Sequence, residues 1–160
     1  MATGVREVEA TAFVSPSKVP ALADAAELAE ELYRFPPDVE FSALVASANG
    51  AKRAIASGLR SIEYVVSASD AHSMANVGRS SSEATAAIAD VARIAHDSDA
   101  TVEVIIATAW DCPFDGPTPA RHVLDIAIAA VELGVDRIAI ADTIGTTTPP
   151  RRVSVLIGKL

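Results

Sequence analysis

Three glycines constrain the architecture most. Gly4 leads into VREVEATAF, Gly58 into LRSIEYVV and Gly134 into VDRIAIA. Each time a few charged or polar residues separate the glycine from a β-rich run. Glycine is the usual residue just past a helix, where the backbone turns left-handed. The repeated unit therefore reads as helix end, short loop, buried strand.

The segments between the runs predict helices. Ser80 and Glu83 have capping-box spacing, and Ala84, Ile88, Val91 and Ile94/Ala95 recur behind them at helical intervals. Thr118-Pro119 reads as an N-cap with proline at the first helical position, opening a helix that runs to Gly134. Asn49 is placed to cap a helix ending at Gly58, Pro20 to open another and Pro149-Pro150 a last one. Strands are expected near Glu7–Phe13, Glu40–Val45, Ile62–Ser67, Thr101–Ala107 and Arg137–Ala141. These make five strand–helix units of about 30 residues, the size of parallel βα repeats. Strict alternation implies a parallel sheet covered by helices. Either an open doubly wound sheet or part of a (β/α)8 barrel satisfies it. A whole barrel takes about 250 residues, and this chain has 160.

At that length one domain is expected across residues 1–160, with a core of small side chains, since half the residues are hydrophobic and only 4% aromatic. A net charge of −8 argues against nucleic acid and anionic membranes. No apolar run approaches the ~20 residues of a membrane span. Cys112 is the single cysteine, which excludes an internal disulfide and points to a reducing cytoplasm. No signal peptide is expected from the N-terminal residues.

In either architecture the chemistry lies beyond the carboxyl ends of the strands. Those segments carry Ser67 to His72 and on to Asn76, then Thr108 to Gly116, then Asp142-Thr143-Ile144-Gly145. Glu9 lies inside the first strand. Ile138 to Asp142 is the sharpest case: four residues fit for burial end in a carboxylate. That position favours a site role over a helix cap or a solvated acid. Glu9 on pattern alone divides evenly between a site acid and an outward-facing strand residue. No GxGxxG or P-loop is present.

VEATAFVSPSKVPALADAAEL, SASDAHSMANVGRSSSEA, CPFDG and ADTIGTTTPPR occur in this order along the chain. Together they resemble successive segments of the hydroxymethylglutaryl-CoA lyase family, which belongs to the metal-dependent aldol and Claisen barrel enzymes. The resemblance implies a partial (β/α)8 barrel corresponding to strands 2–6, and cleavage of a 3-hydroxyacyl-CoA into an acyl-CoA and a keto acid. It implies that Asp142 is the acidic catalytic residue at a strand tip. Glu9 helps organise the site, Asn76 lies near the acyl substrate, and Thr143 contributes to substrate binding. It implies a divalent cation, Mg2+ or Mn2+, an acyl-CoA partner and a homo-oligomer.

The family's Arg-Asp pair on its first strand, its His-x-His metal pair and its catalytic cysteine match no residues of this sequence. The metal ligands are therefore expected outside these residues, and the 160-residue chain alone is expected to be inactive. Ala12 replaces a frequent Ser, and Ala141 a frequent Gly.

Cys112 reads as a structural cysteine, because no His/Asp arrangement supports a nucleophile. His72, His96 and His122 have no metal-ligand spacing, and only His72 falls on the site side. Trp110 reads as a wall. Two other functions are consistent with the sequence: a Claisen-type synthase of the isopropylmalate or homocitrate kind, and a non-catalytic fragment whose open sheet edges pair with another chain. FVSP and CPFDG favour the lyase. Glu9, Asn76 and Asp142 are expected at one rim of the sheet.

Overall fold

The computed structural model describes residues 4–145 and 149–160. Of the last quoted motif, Thr146, Thr147 and Thr148 lie outside the described residues. Strands run over Glu7–Phe13 (β1), Glu40–Val45 (β2), Ser61–Ser67 (β3), Thr101–Ala107 (β4), Asp111–Cys112 (β5), Gly116–Pro117 (β6) and Arg137–Ile140 (β7). Helices run over Ala25–Glu31 (α1), Ala48–Ala56 (α2), Asp70–Val77 (α3), Ser81–Ala86 (α4), Ile88–His96 (α5), Ala120–Glu132 (α6) and Pro150–Ile157 (α7). One sheet has the order β1-β2-β3-β4-β7, and β5 and β6 form a separate antiparallel pair. The pairs β1–β2 and β2–β3 are parallel. Sequential order in a parallel sheet with helical crossovers is the topology of a partial (β/α)8 barrel.

The chain divides into two compact units, Met1–Tyr64 with Ala89–Glu103, and Val65–Ile88 with Val104–Leu160. In the first, Phe13, Ala43, Val45, Ile62, Tyr64 and Val102 are buried from the strands, and Ala25, Ala51, Ala54 and Val91 from the helices. In the second, Val66, Val104, Ile106, Val123, Ile126, Ala130 and Leu156 form the core. Alanines fill many of the helix–sheet contacts, as the composition anticipated. No described helix is long and apolar enough to cross a membrane.

Several boundaries depart from the sequence reading. The capping box at Ser80 and Glu83 is present, with both reciprocal backbone bonds made. The helix behind it is interrupted at Ala87, which separates α4 from α5. Pro20 opens only a single 3₁₀ turn, Pro20–Leu22, ahead of α1. Thr118 does not cap α6: Pro119 occupies the N-cap and makes no side-chain bond. Residues 70–77, for which the sequence reading expects no helix, form α3; the stretch lacks an apolar period, but Ser69 caps it and Gly78 closes it at φ +71°.

Asn49 does not cap α2 either. Ser47 does, its Oγ accepting from Gly50 N at 3.1 Å, while Asn49 is exposed inside the first turn. Ser47→Ala should therefore destabilise the fold by about 1 kcal/mol. Asn49→Ala should change it by less than about 0.5 kcal/mol. Urea unfolding of the two variants tests this, and a larger loss for Asn49 would reverse the cap assignment.

Candidate active site

Asp142 follows β7 directly. Ala141 N donates to Ile106 O at 3.0 Å and Ala109 N donates to Ala141 O at 3.2 Å, so sheet pairing holds the backbone up to the acid. The strand itself is only half-buried along its length, not buried on both faces as its apolar run suggested, because it stands at the edge of the sheet. Asp142 is also half-buried. Its Oδ1 is fully buried and has no hydrogen-bond partner among the described residues. A buried carboxylate oxygen without a donor is costly and rare, and calls for an explanation in ligand or function.

Thr143 is used within the loop. Its Oγ1 accepts from Thr108 N at 2.7 Å. Thr108 is fully buried, and its backbone is left-handed at φ +53°, a conformation that strains a β-branched residue. Its own hydroxyl donates to Ala107 O at 2.7 Å. The segments after β4 and β7 are thus tied to each other.

Arg152 of α7 stands beside them. It donates to both carboxylate oxygens of Asp111, at 2.8 and 3.3 Å, and to Trp110 O at 3.1 Å. The bond to Asp111 first, and after it the negative charges of Asp111 and Asp142, hold its guanidinium above its usual pKa despite partial burial. Arg152 was not legible as a site residue. Trp110 is buried and lines a cavity of about 320 Å³ with Arg151, Arg152 and Leu156. It is a wall, as expected.

The end of β3 is a hydroxyl-rich cluster. His72 Nδ1 lies 2.6 Å from Ser67 Oγ, and burial holds the imidazole below its usual pKa. His122, read from the sequence as remote, places Nδ1 3.2 Å from Ala68 O; a carbonyl only accepts, so that nitrogen carries the proton. Ser69 Oγ donates to Asp115 at 2.7 Å and lies 3.0 Å from Cys112 Sγ. Burial raises the Cys112 thiol, but the bond to Ser69 and the N–H groups of Asp115 and Phe114 outweigh it and leave it lowered. The thiol is buried and pins the β5–β6 turn, a structural part rather than an exposed nucleophile. Asn76 is exposed near the end of α3.

Glu9 lies in the other compact unit, third of the seven residues of β1, below the strand's carboxyl end. It is exposed. Glu63 on β3 accepts from Ser42 Oγ of β2 and shares a hydrogen bond with Glu9. Neither Ser42 nor Glu63 stood out in the sequence. Yet Glu63 breaks the apolar run SIEYVVS just as Glu9 breaks its own. Among the described residues no group of three or more His, Cys, Asp or Glu side chains is arranged to hold a metal ion.

A parallel sheet in sequential order with helical crossovers defines a barrel-type α/β protein. Comparison with known proteins makes the assignment specific. The family model described as HMGL-like matches residues 1–160, and the chain belongs to that family. It is 30% identical over 154 residues to hydroxymethylglutaryl-CoA lyase YngG of Bacillus subtilis, covering 96% of this chain and 51% of the relative. It is 34% identical over 158 residues to the (R)-citramalyl-CoA lyase of Chloroflexus aurantiacus, covering 93% of this chain and 50% of the relative. The crystal structure of the Bacillus subtilis HMG-CoA lyase superposes with a TM-score of 0.92 at 28% identity, over 99% of this chain and 52% of that one. The chain spans about half the length of the curated relatives it matches.

Proposed function

We propose that these residues form strands 2–6 of a barrel that cleaves the carbon–carbon bond of a 3-hydroxyacyl-CoA, hydroxymethylglutaryl-CoA first among the candidates. The observation that carries the reading is the buried Oδ1 of Asp142 at the tip of β7, without a partner among the described residues. Family membership supports the reaction class, and relatives named as CoA lyases support an acyl-CoA substrate. The citramalyl-CoA lyase keeps a second acyl group in view. We place the protein in the cytoplasm.

Cleavage begins with removal of the substrate hydroxyl proton. The bond between the carbinol carbon and the carbon next to the thioester then breaks. A keto acid leaves, and the enolate of the acyl-CoA takes up a proton. Asp142 is the group that receives or steers the hydroxyl proton, Thr143 fixes the loop carrying it, Asn76 serves the acyl portion and Glu9 orders the site. A divalent cation, Mg2+ or Mn2+ by family resemblance, would stabilise the alkoxide. The described residues do not form a cage for it, and no step here depends on one.

The test supplies the full-length gene product with hydroxymethylglutaryl-CoA and citramalyl-CoA in the presence of each cation, and measures keto acid and acetyl-CoA. Release of acetoacetate from hydroxymethylglutaryl-CoA at least ten times faster than pyruvate from citramalyl-CoA is expected. Faster pyruvate release would reassign the acyl group. Condensation of acetyl-CoA with a keto acid, without cleavage, would replace the lyase with a synthase.

A further inference from the structure

One face of β1, β2 and β3 brings two glutamates together. The register sets Glu9 opposite Ser42, and Leu44 opposite Glu63. Alternate residues of a strand share a face, so Glu9, Ser42, Leu44 and Glu63 lie on the same one. Ala43, Val45, Ile62 and Tyr64 are buried on the other. Ser42 donates its hydroxyl hydrogen to Glu63 Oε1, and a hydrogen bond between the Glu9 and Glu63 side chains is one of the causes that raise Glu9 above its usual pKa. Ionised carboxylates only accept hydrogen bonds. A bond between two carboxyls therefore requires a proton on one of them. The bond from Ser42 is one that an ionised Glu63 makes best, which leaves the proton on Glu9.

We propose that Glu63, fixed by Ser42, is a positioning residue that keeps Glu9 protonated and able to donate, the pair holding a single proton between them. Glu7 and Glu40 stand opposite each other on the same face two residues earlier. No lysine or arginine occurs within β1, β2, β3 or β4. Partial burial of the carboxyl, the hydrogen bond with Glu63 and the negative charge of Glu63 push Glu9 up to about 7. Its ionised fraction then changes across neutral pH, where an ordinary glutamate is already fully ionised. What this does for turnover rests on the lyase reading above; the proton itself does not.

Carboxyl-carbon NMR of the 160-residue chain, titrated from pH 3 to 9, tests the pair without an activity assay. In the wild type Glu9 should show a midpoint near 7. In Glu63→Gln the like charge is gone and an amide donor replaces it, so the midpoint should fall toward the ordinary carboxylate range, with burial holding back part of the change. Ser42→Ala should lower it as well, by letting the proton move toward Glu63. A second readout follows from linkage. Between the unfolded value of 4.5 and about 7 the folded chain binds more protons at Glu9 than the unfolded chain does. Its contribution to stability therefore falls as pH rises through that window. Glu63→Gln should flatten that slope in urea unfolding. A wild-type Glu9 titrating with ordinary glutamates, or a midpoint near 7 that a folded Glu63→Gln leaves unmoved, would overturn the proposal. Should Glu63→Gln fail to fold, the wild-type midpoint and Ser42→Ala decide alone.

Discussion

Asp142→Asn should lower the cleavage rate of the full-length gene product by about 10²- to 10⁴-fold, the range that one positioned proton-transfer group supplies. It should leave the melting temperature within about 2 °C. The two effects separate because of where the oxygen sits. Oδ1 is buried without a donor, so the folded chain loses no hydrogen bond there when the oxygen becomes an amide. Asparagine has the same shape and removes a charge that is expensive to desolvate. The long-range attraction between Asp142 and Arg152 disappears, but Arg152 keeps both of its bonds to Asp111. Turnover and thermal unfolding measured on the same preparation decide the matter. A matched loss of both would make Asp142 a structural acid.

Gly50→Ala should destabilise the fold by about 1–3 kcal/mol, the cost of overpacking a close contact. Helix propensity predicts the opposite sign, since alanine is favoured over glycine inside a helix by about 1 kcal/mol. Contact decides between them. A Cβ on Gly50 would stand 2.6 Å from Phe13 O, with Val45 Cβ at 3.5 Å behind it. The obstacle is main chain at the end of β1, which cannot rotate away as a side chain would. Either α2 lifts from the sheet or β1 shifts. Gly50→Val should cost more still. Chemical unfolding monitored by circular dichroism measures both, and a stabilised Gly50→Ala would mean that α2 sits looser on β1 than described.

Elements with a strong local signal were legible in the sequence. The main strands match within a residue, because each is a β-rich run bounded by polar residues. The Ser80–Glu83 cap was visible because both partners lie in one turn. What escaped depends on partners distant in the chain. Ser47 rather than Asn49 caps α2, and the two compete three residues from Gly50 and one before it, a choice that geometry makes and pattern cannot. α3 escaped because its residues are polar on most sides and its helical character rests on its two caps. Among residues of the candidate site, Asp142 stood out by ending an apolar run. Arg152 did not, since nothing near it in sequence marks Asp111 as its partner 41 residues earlier. Glu63 carried a signal of the same kind as Glu9, an acid inside a hydrophobic strand. Its importance appears only when the register sets it on Glu9's face.

The bond from Thr108 to Thr143 couples two stretches of chain that could otherwise drift independently. Thr108 has no rotational slack, being enclosed on all sides with a strained backbone, and it grips the residue right after the acid. The backbone just after Asp142 is consequently anchored to the end of the neighbouring strand β4. In the proposed reaction, a proton acceptor that must meet a hydroxyl closely gains its accuracy from that mooring.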